Sequence, residues 1–329
     1  MSAMIRPIAL MCAFVVGWFI PQGAQFSWTI PWFVRYMLFM TFLGLNVRKM
    51  RLYPSHFIIL ALNILIGVGA CWIFKVTGNA SLAAAAFFTG MAPTASAAPA
   101  IASFLRREVE YVVTSLLLTT LGVAIAIPTF LPWAVGGVAE TNLFWSAFLR
   151  VGNTVLNTIV WPIVLARVLR ALYPPAQTWT KRYKSWTFYA WVLMIVVLAC
   201  RASAFIRDPM NGASPFILVE TLALSLAICV TNFVVGYLVG EKGLREEASQ
   251  SLGQKNTGAM ISFAVIYADP IAALGPTLYV LWHNSWNALQ LQWLAIKDAR
   301  AEHRANRARV AEESRQTEAQ DAAVKGSES

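Results

Sequence analysis

The chain has 329 residues, 58% hydrophobic and 13% charged, with a formal net charge of +10. The charged share is about half that of an ordinary soluble domain, and mean hydropathy is +0.58. So much apolar surface does not fit inside one soluble core. This excludes soluble-enzyme, disordered, collagenous and disulfide-framework classes and leaves a polytopic membrane protein.

Ten apolar runs follow one another along the chain, at about 4–20, 29–47, 55–75, 81–104, 109–131, 143–167, 185–206, 215–240, 247–268 and 273–296. Pro, Gly and charge clusters separate them. Each is long enough to be read as a crossing, since a helix needs about 20 residues to span a bilayer. The first run has Arg6 ahead of it and Gly23-Ala24 behind it, the outline of a signal peptide, but it is long and its cleavage site weak, so it is read as a span. The cysteines (Cys12, Cys71, Cys200 and Cys229) lie inside apolar runs without motif spacing and read as small buried hydrophobes.

The basic residues sort by loop. Arg6 precedes span one. Arg48, Lys49 and Arg51 follow span two, Arg106 and Arg107 span four, and Arg167, Arg170, Lys181, Arg182 and Lys184 span six. Lys242 and Arg245 follow span eight. Lys297, Arg300, Arg304, Arg307, Arg309, Arg315 and Lys325 follow span ten, so these loops and termini hold 20 of the 26 basic residues. The positive-inside rule places the even loops and both termini in the cytoplasm and the protein in the inner (cell) membrane. It also accounts for the charge without nucleic acid. The tail, 298–329, mixes both signs and reads as a short solvated helix fraying into disorder.

Ten spans divide into two sets of five, and an odd-numbered unit repeated in tandem inserts with opposite orientation. Spans four and nine should then correspond, and both are interrupted. Span four holds Gly90, Pro93 and Pro99; span nine holds Gly253 and Gly258 around Gln254, Lys255, Asn256 and Thr257. Proline removes a helix hydrogen bond. Non-helical backbone at membrane depth persists only where protein or a water-filled cavity surrounds it. Half-helix N-termini there favour anions. Lys255, an ionisable group in the middle of a span, is a functional candidate by position. A structural Lys255, paired with backbone carbonyls or with Glu220, is the alternative. Asn63, Arg150, Glu220, Asn232, His283, Asn284 and Asn287 are further polar groups at membrane depth, while Arg35 and Arg201 sit near span ends and are expected to snorkel.

Several segments carry a resemblance: IPW in span two, Gly90 with Pro93 in span four, TNFVVGYLVG in span eight, GQKNTG in span nine and VLWHNSWNAL in span ten. In their order and spacing the chain resembles the bile acid:sodium symporter family, including its bacterial ten-helix members, over roughly residues 1–297. The resemblance implies an all-α membrane protein of ten transmembrane helices in two inverted five-helix repeats. Broken helices four and nine would cross in a core domain of helices 3–5 and 8–10, beside a panel domain of helices 1, 2, 6 and 7. It implies alternating-access transport of organic anions, usually with sodium.

The positions that match the family's sodium ligands depart from its pattern. They are Ala98, Pro99, Val112, Leu116, Ser251, Asn63 and Lys255 here, with no carboxylate among them. A hard cation wants several oxygen ligands, and sodium is not expected beside a charged Lys255. Lys255 is therefore read as a built-in replacement for sodium, with Ser251 and Asn63 as the other coupling positions. Coupling is then absent or runs through Lys255 protonation. The matching substrate side is Ser96, Asn256, Thr94 and Thr257, with His283 and Asn284 lining the same cavity or, for His283, making a structural hydrogen bond. No other cofactor or metal is expected.

The leading expectation is a secondary active or facilitative transporter of a small organic carboxylate, monomeric and embedded in the lipid bilayer. The alternatives are an ordinary sodium-coupled symporter and a non-transporting ligand sensor of the same fold. An enzyme is not expected, because the sequence has no HExxH, GxSxG or carboxylate pair.

Overall fold

The computed structural model describes residues 5–136, 149, 153, 157, 160–211 and 214–327. Most of expected span six, with Arg150, lies outside the described residues.

The described residues are all-helical. The helices are α1 (Ile5–Phe19), α2 (Ile30–Gly44), α3 (Pro54–Val76), α4 (Ala80–Gly90), α5 (Ala98–Phe104), α6 (Val109–Val135), α7 (Trp161–Leu172), α8 (Trp179–Arg182), α9 (Lys184–Arg207), α10 (Pro215–Val239), α11 (Arg245–Gly253), α12 (Thr257–Tyr267) and α13 (Leu274–Ser327). Four of them, α3, α6, α9 and α10, are long and apolar enough to cross a membrane. Large apolar side chains such as Leu65, Trp72, Leu121, Leu193 and Leu238 are exposed on their outer faces, as a lipid environment requires and water does not. The chain is a helical membrane protein. Helix starts follow local chemistry: prolines occupy the first turns of α2, α3 and α10, where a missing N–H costs nothing. Gly136, with φ of 74°, closes α6 in the left-handed conformation.

The loops gather at two poles. At one, Asn46 N–H donates to the Glu110 carboxylate (3.0 Å), and Arg106 forms a two-pronged ion pair with Asp298 (3.1 and 2.7 Å). Arg107 pairs with Glu246, and Arg170 donates to the Leu45 carbonyl (2.9 Å). The Ser55 N–H and hydroxyl both donate to Glu241 (3.0 and 2.6 Å). Burial alone would push the Glu241 carboxyl up; these hydrogen bonds outweigh it and hold the carboxyl below the usual carboxylate range. This is the basic pole, where the loops after spans two, four, six, eight and ten meet. At the other pole Lys75 donates to the Trp133 carbonyl, and Ser203 and Arg207 donate to the Trp18 carbonyl (2.7 and 3.2 Å).

Beyond Asp298, α13 runs without interruption from the apolar run to Ser327. The reason is composition. Ala, Arg, Glu and Gln are strong helix formers, and neither Gly nor Pro occurs between Pro276 and Gly326.

Helix α3 packs on α4 and α6, α10 on α11 and α13, α1 on α9, and α2 on α7 and α9. The α3–α4 contact is backbone on backbone. A Cβ at Gly67 would lie 2.6 Å from Met91 N, and one at Gly90 would lie 2.6 Å from Gly67 Cα. Gly69, two residues on, faces open space. Gly67→Ala is therefore expected to lower the thermal stability of the purified protein by roughly 1–3 kcal/mol, because backbone cannot yield to the added methyl. Gly69→Ala should change it by less than about 1 kcal/mol. Paired melting curves in detergent check this, and equal effects would refute the close contact.

Candidate functional site

Two interruptions face each other midway between the poles. Helix α4 stops at Gly90. Pro93, with no N–H to donate, lies in the non-helical stretch that follows, and α5 begins at Ala98 with Pro99 in its first turn. Helix α11 stops at Gly253, and α12 begins at Thr257 with Asn256 as its N-cap, the side-chain oxygen accepting from Ala259 N–H at 3.4 Å. Of the expected break residues, Gly90, Pro93 and Gly253 mark the breaks. Pro99 and Gly258 lie in the first turns of the helices that follow, and a side chain at Gly258 would meet nothing.

The exposed backbone of each break satisfies the other. Ala95 N–H donates to the Gln254 carbonyl (2.7 Å) and Asn256 N–H to the Pro93 carbonyl (2.9 Å), which makes Thr94 and Lys255 an antiparallel bridge. The Thr94 hydroxyl donates to the Ser251 carbonyl (2.6 Å), and the Thr119 hydroxyl of α6 both donates to Thr94 Oγ1 (2.9 Å) and accepts from Thr94 N–H (3.1 Å). Thr119 was not among the expected site residues. It lies three residues beyond Leu116, one helical turn along α6, and only the packing of α6 on the break reveals it.

The two free helix ends are capped by side chains, one from the opposite half of the chain and one from the same half. Lys255, 1% exposed, donates from Nζ to Asn63 Oδ1 and to the Gly90 carbonyl (3.0 Å), the last of α4. Tyr279 donates from Oη to the Gly253 carbonyl (2.8 Å), the last of α11, and accepts from Asn232 Nδ2 (3.1 Å). No ion pair joins Lys255 to Glu220 among the described residues. The parallel extends further. Asn63 and Asn232 are each followed four residues later by a glycine, and Gly236 abuts Ser249 and Leu252 of α11 as Gly67 abuts the end of α4.

These contacts decide the fit for sodium. The Asn63 side-chain oxygen and the Gly90 carbonyl already accept from the Lys255 ammonium, Val112 and Leu116 are buried apolar side chains, and Ser251 offers one hydroxyl. These residues do not fit a sodium ion.

Beside the bridge lies a cavity of about 320 Å³. Ser96, Lys255, Asn256, Thr257, His283 and Asn284 line one side of it. Thr94, Ser251 and Asn63 do not; they lie behind the bridge and hold it. Asn284 spends its side-chain N–H on the Val280 carbonyl (2.8 Å), whereas His283 Nδ1 is buried without a partner. The other side is Ile30, Pro31 and Val34 of α2 and Trp191, Met194, Leu198 and Arg201 of α9. Trp191 Nε1 is likewise buried without a partner. Among the described residues, no carboxylate lines the cavity. Toward the basic pole it is sealed by packed apolar residues, with Trp191 stacked on Phe104 (centroids 5.5 Å) and edge-on to Phe188 (5.9 Å). Arg201 was expected to snorkel and instead lines the cavity.

Fold and site together define a helical membrane protein with two facing helix breaks and, beside them, a cavity lined by two basic side chains and, among the described residues, no carboxylate. No protein-family model matches the chain, and no curated protein matches it.

Removing either cap should destabilise the protein. Lys255→Met strands the Asn63 and Gly90 oxygens and Tyr279→Phe strands the Gly253 carbonyl, each a loss of about 1–3 kcal/mol. Combining Lys255→Met with Asn63→Leu should cost less than the sum of the two, because the partners leave together. A double-mutant cycle by thermal melting measures this; strict additivity would show that the pair does not interact.

Proposed function

We propose that this protein carries small organic anions, carboxylates above all, across the cell membrane by alternating access, as a facilitative or secondary active transporter. The observation that carries the reading is the cavity. It holds two basic side chains, no carboxylate, and the first turn of α12, whose N–H groups and dipole favour an anion.

In this reading the chain is a ten-span member of the bile acid:sodium symporter family, built from two inverted five-helix repeats. Two observations support the repeat: the matched breaks, and the Asn-x-x-x-Gly pairs 63/67 and 232/236, each packed on a half-helix end. The core comprises spans three to five and eight to ten, and spans one, two, six and seven form the panel. The basic pole is cytoplasmic, as the loop charges require. The Lys255 ammonium stands where relatives bind sodium. It neutralises the end of α4 and contributes positive charge beside the substrate.

The test is uptake of labelled pyruvate, pantoate and cholate into proteoliposomes, in sodium and in choline buffers. At least one should enter at equal rates in both. Lys255→Gln should lower that rate about tenfold or more, the factor corresponding to ~1.4 kcal/mol. Strict sodium dependence would overturn the role of Lys255. Anion binding without flux would favour the sensor.

A further inference from the structure

The wall of the cavity formed by α9 has a definite order. Trp191, Met194, Leu198 and Arg201 recur at intervals of three, four and three residues, so they share one helix face. At 1.5 Å per residue, the guanidinium end of this stripe stands about 15 Å along the axis from the indole end. The stripe thus has a cation near the pole opposite the basic one, two aliphatic side chains in the middle and an unpartnered indole N–H at the sealed end. Val34 and Ile30 of α2 extend its apolar middle.

The two cations of the cavity differ in what they have left to give. Lys255 turns its Nζ to Asn63 and Gly90 behind the bridge. Arg201 has no hydrogen-bond or ion-pair partner among the described residues and is half-buried against the cavity. A guanidinium presents five donors in a planar fork that matches a carboxylate. Among the other residues lining the cavity, His283 Nδ1 is a buried polar atom without a partner.

We infer that Arg201 anchors the carboxylate of an aliphatic organic acid, whose apolar body lies along Met194 and Leu198. The inference rests on reading the cavity as a carboxylate site, and it adds that Arg201 sets the charge requirement while Lys255 holds the bridge. The facing polar wall then selects among acids by their hydroxyl or oxo groups.

The experiment is a thermal-shift titration of the full chain in detergent with straight-chain carboxylates of three to eight carbons and the corresponding primary amides. Carboxylates should stabilise the wild type and amides should not. Arg201→Gln should melt like the wild type without ligand and bind carboxylates about tenfold or more weakly, the loss of a charge-assisted pair. Arg201→Lys, which keeps the charge and loses the fork, should fall between; it decides the question if Arg201→Gln does not fold. If Arg201→Gln binds carboxylates as the wild type does, the assignment to Arg201 is wrong and the carboxylate site stands. If no carboxylate stabilises the wild type, both fall.

Discussion

The arrangement turns on the contact between the Lys255 ammonium and the last carbonyl of α4. Two half-helices, α4 and α11, end at nearly the same place. Each brings about half a negative elementary charge and unpaired carbonyls to a region without bulk water. Left alone, these ends repel each other and their carbonyls lack donors. The bridge between Thr94 and Lys255 supplies part of the answer, backbone for backbone. The helix ends need donors from outside the bridge, and the chain supplies two of different kinds: an ammonium at Gly90 and a phenol at Gly253.

That difference is informative. In both places an asparagine on the preceding long helix orients the donor, Asn63 for Lys255 and Asn232 for Tyr279. The arrangement around the two ends is alike, while the donor is basic at the end of α4 and neutral at the end of α11. A neutral hydroxyl suffices to satisfy a carbonyl. An ammonium does more, because its charge acts on whatever occupies the neighbouring cavity. In the proposed reading the shared frame belongs to the architecture, and Lys255, the odd member of the pair, belongs to the chemistry.

The sequence makes some of this legible and hides the rest for physical reasons. Prolines, glycines and the polar GQKNTG insert stand out because they break an otherwise continuous apolar pattern, so both interruptions and Lys255 are visible in advance. The gathering of basic loops at one pole is visible from charge alone. Arg201 and Trp191 are not, because in a helix that is apolar on every side periodicity does not mark the face turned to a cavity. Thr119 is hidden for a similar reason: hydroxyls within apolar helices commonly bond their own backbone, as Thr120 does with Leu116.

A tethered cation changes what the site can be coupled to. A sodium ion that binds with a substrate carries its own gradient and must leave for the cycle to finish. An ammonium on the chain does neither. In the proposed cycle it remains at the α4 end in every state, so it lowers the cost of holding an anion without adding a driving force. Net movement then follows the anion's own gradient and the membrane potential, which works against anion entry by about 2.3 kcal/mol per charge at 100 mV. If Lys255 moves with the anion, the loaded unit is close to neutral, but the cation returns with the empty site, so over a full cycle the charge that crosses is that of the anion alone. The fixed cation thus shifts the electrical cost from the loaded step to the return of the empty site and leaves the total unchanged.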